Sequence, residues 1–155
     1  MSFGLLLSAC GLPPSKTETP RPEEAYLYTR DKVPDPQDVF FTVQYPGKPP
    51  IQLAGHYWHN TDAAKNGVKC PAIVEFNPYR RRDGMLIPDS MMYPWFAYNQ
   101  YLCFRIDLQG SGDSQGILAD EYTDEELVYC TQVIRQIASR PDCSGDLSPG
   151  DLSPS

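Results

Sequence analysis

A Gly-x-Ser-x-Gly pattern runs from Gly112 to Gly116 and places Ser114 at its centre. In hydrolases this pattern presents a nucleophilic serine on a sharp turn between a strand and a helix. An apolar run ends near Asp107 and the next helix-like pattern begins near Thr123, so Ser114 falls within a long loop. A serine also needs a base, and no histidine follows His59. We therefore expect Ser114 to be structural and the surrounding glycines to serve backbone turns.

The remaining metal-binding and phosphate-binding residue types show no convincing pattern. His56 and His59 are three apart on a predicted strand, where they face opposite sides, so they should not bind one metal ion together. The five cysteines include no Cys-x-x-Cys pair, and their spacing assigns no disulfide. The loop lacks the third glycine of a dinucleotide-binding fingerprint. We predict no cofactor.

Three consecutive arginines, Arg80 to Arg82, follow a short apolar strand that ends in Asn77-Pro78-Tyr79. The residue before a proline is pushed towards extended backbone, which makes this a stiff corner. The arginines are expected either to form a solvated loop or to contact a substrate carboxylate or an interface.

The elements that must position these residues alternate between strand and helix. A helix from Thr123 is the clearest, with a capping sequence and apolar residues at helical spacing from Leu127 to Ala138. Pro94 is expected in the first turn of a short helix whose aromatic residues belong to the core. The pattern predicts an α/β fold with a partly parallel sheet. Its elements are a hairpin (38–45 and 51–58), a strand (71–76), a helix (91–99), a strand (101–107) and a helix (123–139).

The totals indicate one globular domain. The chain has 155 residues, 41% of them hydrophobic, and a formal net charge of −7. An acidic chain argues against non-specific binding to nucleic acid.

The first residues, Leu7 to Cys10, resemble a bacterial lipobox, and a proline-rich stretch follows. We interpret residues 1–25 as a lipoprotein signal and tether, with Cys10 as the lipidation site and a periplasmic or extracellular location. The missing basic residues and the short apolar core leave a frayed N-terminus and a cytoplasmic location as the alternative.

Two separated motifs resemble the Xaa-Pro dipeptidyl-peptidase/cocaine-esterase family of serine hydrolases. They are Asn77-Pro78-Tyr79 and the run from Asp107 to Gly116, followed by an acidic stretch, a helix and Cys143-Ser144-Gly145-Asp146. The resemblance covers roughly residues 39–146. Gln109 departs from it, because the family usually has arginine there.

The resemblance implies hydrolysis of ester, amide or Xaa-Pro peptide bonds through an acyl-enzyme. It assigns Tyr79 as an oxyanion donor, although an aromatic residue filling a loop corner is the alternative. Residues 146–155 repeat Asp-Leu-Ser-Pro and resemble no elbow strand, so we interpret them as a low-complexity tail after a hydrolase domain at 26–145.

The family's nucleophile, acid and histidine find no counterpart in this sequence. We therefore expect an incomplete hydrolase sheet, truncated before the nucleophile strand and without turnover. The strand at 101–107 would have an open edge. A non-catalytic secreted or lipid-anchored accessory module is the alternative, and a separate C-terminal half could complement the chain.

Overall fold

A computed structural model describes residues 32–83, 85–118 and 123–145 of the chain. Cys10, the proposed tether and the repetitive tail lie outside these residues. Four strands and three helices form a mixed α/β fold, which confirms the predicted fold class. In chain order they are β1 (Gln37–Val43), β2 (Ile51–Trp58), α1 (Thr61–Lys65), β3 (Ala72–Asn77), α2 (Leu86–Tyr98), β4 (Leu102–Asp107) and α3 (Asp124–Ala138).

The strands form one sheet in the order β1-β2-β4-β3. β1 and β2 are the predicted hairpin, β2 and β4 are antiparallel, and β3 and β4 are parallel. The expected open edge at residues 101–107 is wrong, because β4 hydrogen-bonds on both sides and all six of its residues are buried. The crossover through α2 places β4 between β2 and β3, so β3, like β1, is an edge strand of the described sheet.

Helix α3 covers one face of the sheet. The Thr123 hydroxyl accepts the Glu126 N–H at 3.2 Å, so the predicted cap is present. Tyr129, Val133 and Ile137 are its buried residues and pack into a core with Phe104 and Ile106. Leu127, the first apolar residue of the predicted helical repeat, is 57% exposed.

Helix α2 covers the other face. Its Tyr93 ring stacks on Trp58 at 4.8 Å between centroids, and Ala97 and Cys103 complete this second core. The helix begins at Leu86, earlier than predicted, so Pro94 lies inside it rather than in the first turn. Trp95 is 44% exposed, which corrects its assignment to the core.

The polar stretch after β2 contains the short helix α1, which the sequence did not predict. Asn60 caps it by accepting the N–H groups of Asp62 and Ala63. Among the residues that the structure describes, no helix is long and apolar enough to cross a membrane.

Candidate active site

The Asn77-Pro78-Tyr79 corner lies at the carboxyl end of β3. Asn77 is buried, and its side-chain oxygen accepts the Tyr79 N–H at 2.6 Å. The Asn77 carbonyl accepts the Leu108 N–H at 3.1 Å, which joins the corner to the end of β4. This asparagine therefore sets the backbone of the turn. The Tyr79 side chain itself is 68% exposed, so it does not fill a loop corner.

Arg81, two residues after Tyr79, is the buried residue that holds this loop against the sheet. The Arg81 guanidinium is fully buried and donates to Asp107 at 2.8 Å, while the Arg81 backbone N–H donates to the other Asp107 oxygen, also at 2.8 Å. The interpretation of residues 80–82 as a solvated loop is therefore wrong for Arg81. A buried arginine is stable only when it is paired and hydrogen-bonded, and Asp107 supplies both.

Two further carboxylates extend this pair towards the surface. Arg81 lies 3.0 Å from Asp113 and 3.3 Å from Asp38. Arg82 pairs with the same two residues, lying 3.3 Å from Asp113 and in short contact with Asp38. The network ties the loop after β3 to β1 and to the glycine-rich turn. The two Arg82 pairs are exposed on both sides and each contributes little to stability. The buried Arg81–Asp107 pair therefore holds the loop in place.

Ser114 lies in the loop between β4 and α3, as predicted, and not on an elbow. It is 8% exposed. Its hydroxyl accepts the Ala54 N–H at 2.8 Å and donates to the Asp107 carbonyl at 2.7 Å. Both partners are backbone groups, one on β2 and one at the end of β4. The Ser114 hydroxyl therefore links these two strands and does not contact a base.

The rest of the glycine-rich turn completes the same scaffold. The Ser111 hydroxyl donates to the Pro78 carbonyl at 2.6 Å, which ties the turn to the tyrosine corner. Gly112 has φ +53°, and a Cβ there would lie 2.2 Å from an Asp107 carboxylate oxygen. The backbone must therefore approach Asp107 closely, and only glycine allows it.

The two histidines lie in different surroundings, as expected from residues three apart on a strand. His56 lies edge-on to Trp58 with its Nε2 3.4 Å from Asp38, whereas His59 stacks on Tyr57 at 5.0 Å. Burial lowers the pKa of each imidazole. No group of three or more His, Cys, Asp and Glu residues within the described ranges could hold a metal ion.

A second buried ionic cluster was not foreseen. Arg105 on β4 is buried and contacts Glu75 of β3 at short range, and it lies 3.3 Å from the buried carboxylate of Asp89 on α2. The Tyr93 hydroxyl also donates to Glu75. The sequence contained one signal of this pair, because Glu75 and Arg105 are each the single charged residue within an apolar run. The sheet then brings the two residues into direct register.

Residues 53–148 match the X-Pro dipeptidyl-peptidase (S15) family. The match covers most of the chain and includes both motifs, the buried Arg81–Asp107 pair and α3. The chain belongs to this family. The predicted resemblance is thereby confirmed. No curated protein sequence matches the chain.

A solved esterase resembles this S15-family chain in fold. Esterase Est22 aligns with a TM-score of 0.52 at 13% identity over 72% of this chain and 31% of that one. The Pyrococcus furiosus esterase Pf2001 has a TM-score of 0.49 at 15% identity, covering 84% and 44% of the two chains. An aminopeptidase from a marine-sediment Thaumarchaeota archaeon has a TM-score of 0.49 at 13% identity, covering 90% and 23%.

The chain therefore spans about a third of the length of the Est22 esterase. Family membership supports a hydrolase-type function.

Proposed function

We propose that this chain supplies the N-terminal part of the catalytic domain of a serine hydrolase that acts on ester, amide or Xaa-Pro peptide bonds. The observation that carries the proposal is Tyr79, an exposed hydroxyl at the carboxyl end of a parallel strand. Open α/β sheets bind ligands at that end of their strands. The buried Arg81–Asp107 pair holds the backbone beside Tyr79, which favours a fixed geometry over a mobile loop.

In this mechanism a serine Oγ adds to the substrate carbonyl, and the carbonyl oxygen becomes an oxyanion. The Tyr79 hydroxyl donates one hydrogen bond to that oxygen, and a backbone N–H beside the nucleophile donates the other. The alcohol or amine then leaves with a proton, and water hydrolyses the acyl-enzyme. Removing one such donor typically slows an enzyme about 100- to 1000-fold.

We propose that the described residues do not carry out this reaction by themselves. Ser114 uses its hydroxyl for two backbone hydrogen bonds, and His56 and His59 sit in separate surroundings. The nucleophile would come from a strand added to the free edge of β3. A complementing C-terminal half, in the same or a separate polypeptide, would provide it together with the acid and the histidine.

Labelling with a fluorophosphonate probe tests this proposal, because the probe reacts with activated serines. The chain alone should neither become labelled nor hydrolyse p-nitrophenyl acetate faster than buffer without protein. Labelling of Ser114 would overturn the proposal. Together with a complementing polypeptide, such as the product of an adjacent gene, the label should appear on the partner.

In such a complex the Tyr79→Phe variant should lose about 100- to 1000-fold in kcat/KM. Tyr101→Phe is the matched control. Tyr101 is also partly exposed, but it precedes β4 and so lies at the amino end of the parallel β3–β4 pair, away from Tyr79. Equal losses in both variants would argue against an oxyanion role for Tyr79.

A non-catalytic accessory module, secreted or lipid-anchored, is the second candidate. It is favoured by the two buried cores, which cover both faces of the sheet within the described residues. A soluble monomer that unfolds cooperatively and gains no activity from any partner would support it. The hydrolase proposal instead expects association through the free edge of β3, since unpaired strand edges recruit other strands.

We also propose that Cys10 attaches the chain to a membrane through a lipid and that the protein is periplasmic or extracellular. Metabolic labelling with palmitate in a bacterial host tests this. Wild-type chain should carry label in the membrane fraction, and Cys10→Ser should carry none. Label retained by the variant, or absent from both, would contradict it.

A further inference from the structure

Two buried cysteines lie opposite each other where the chain leaves α3. Cys70 and Cys143 form a parallel β-bridge just before β3 begins. The Cys70 N–H donates to the Asp142 carbonyl at 2.9 Å, and the Ser144 N–H donates to the Cys70 carbonyl at 2.9 Å. Residues 142–144 therefore run alongside the start of β3, as the first rung of a further parallel strand would.

This pairing brings the two thiols onto one face of the sheet. Directly paired residues on neighbouring strands point the same way, and both cysteines belong to the core beneath α3. Adjacent strands are about 4.8 Å apart, which falls within the Cα separation of roughly 4.4–6.8 Å that a disulfide spans. Both residues are buried, and the structure carries them as free thiols.

The other described cysteines lack this arrangement. Cys103 belongs to the opposite core, next to Trp58 and Tyr93. Cys130 lies on α3, where burial raises its pKa to about 12. Burial likewise raises the pKa of Cys103 to about 12. Neither thiol has a cysteine in register with it among the described strands.

We propose that Cys70 and Cys143 form an intramolecular disulfide when the chain folds in the presence of a low-molecular-weight disulfide such as oxidised glutathione. The thiolate of one cysteine attacks the oxidant, forms a mixed disulfide and releases one glutathione thiolate. The thiolate of the other attacks that mixed disulfide, closes the Cys70–Cys143 bond and releases the second glutathione. Two electrons pass to the oxidant, and the two protons go to the released thiolates.

The bond would fix the exit of α3 against the start of β3. It closes a covalent loop from residue 70 to residue 143 that contains β3, α2, β4 and α3. Such a long loop restricts the unfolded chain strongly, so the oxidised form should melt roughly 10 °C higher than the reduced form. Because both thiols are buried, the reaction belongs to folding or local opening, and the finished bond should resist reduction.

Peptide mapping of the full chain tests the proposal without any variant. Trypsin separates the four described cysteines into different peptides: residues 70–80, 83–105, 106–135 and 136–155. The chain is refolded in a glutathione redox buffer, and free thiols are then trapped with N-ethylmaleimide in urea, so that buried thiols also react. The monomer band is taken from a non-reducing gel. We expect a linked 70–80/136–155 pair, a mass loss of ~2 Da and N-ethylmaleimide on Cys103 and Cys130.

Substitutions then separate the proposed pair from chance oxidation. Cys143→Ser should abolish the mass loss and leave Cys70 alkylated, whereas the matched control Cys130→Ala should still form the linked pair. Three outcomes would overturn the proposal. Cys70 and Cys143 could both remain free in the oxidised buffer, the main link could involve another cysteine, or the link could be found only in dimers. The test is independent of hydrolytic activity and of the proposed function.

Discussion

Arg81 binds Asp107 twice, through its guanidinium and through its own backbone N–H, and both bonds are 2.8 Å long. Asp107 is the last residue of β4, and Arg81 lies two residues beyond Tyr79. One buried carboxylate thus fixes both the side chain and the backbone of the loop that carries the candidate oxyanion donor. The same carboxylate lies against Gly112, so the tyrosine corner and the glycine-rich turn share one anchor.

Breaking this pair from one side should strongly destabilise the fold. Arg81→Met leaves the Asp107 carboxylate buried without its cation, which typically costs about 3–5 kcal/mol. Arg80→Met is the matched control, because Arg80 is exposed and pairs with Asp83 at the surface. Urea unfolding followed by circular dichroism should give a much lower midpoint for Arg81→Met and a small change for Arg80→Met. Equal midpoints would mean that Asp107 is satisfied without Arg81.

Ser114→Ala should destabilise the protein although no catalytic role is assigned to Ser114. The change leaves the Ala54 N–H and the Asp107 carbonyl without their partner in a buried position. Each unsatisfied buried group costs about 1–3 kcal/mol. Ser90→Ala is the control, since the Ser90 hydroxyl bonds a carbonyl of its own exposed helix turn. A Ser114→Ala protein as stable as wild type would contradict the scaffold role.

Gly112 and Gly47 both have positive φ, but only Gly112 is crowded. A Cβ on Gly112 would lie 2.2 Å from an Asp107 oxygen, whereas a Cβ on Gly47 would meet nothing within 4 Å. Gly47→Ala should therefore cost only the backbone strain, about 1 kcal/mol. Gly112→Ala should cost clearly more, because it also displaces the carboxylate that Arg81 needs. Thermal melts of the two variants side by side check this. Equal shifts in melting temperature would mean that the Asp107 carboxylate does not lie against Gly112.

The sequence was informative where local rules decide the structure. The Thr123 cap follows from a capping sequence and the hairpin from alternating apolar residues. The loop position of Ser114 follows from the distance between the end of one apolar run and the start of the next helical pattern. The strand order did not follow, because hydrophobic pattern shows that residues 101–107 are buried but not which strands flank them. Arg81 was missed for a related reason: one arginine among three looks solvated until the fold brings Asp107 beneath it. Pro94 inside α2 shows tertiary packing overriding a local helix rule.

Asp89 should make stability depend on pH. Burial raises the pKa of this carboxyl to about 6, against the lowering effect of Arg105. A raised folded pKa means that the folded state holds the proton more tightly than the unfolded state. Stability from this group is therefore greatest below pH 4 and declines as the pH rises to about 6.

Asp89→Asn removes this titration while keeping the side-chain size. The variant should gain stability relative to wild type as the pH rises from 4 to 7, by roughly 3 kcal/mol for a shift of two units. The folded pKa values of His56 and Glu75 are lowered, so their contributions to stability rise with pH, opposite to that of Asp89. The quantity to follow is therefore the difference in stability between wild type and Asp89→Asn. Urea unfolding at several pH values gives that difference. A difference that stays constant across this range would show that Asp89 remains ionised in the folded protein, held by Arg105.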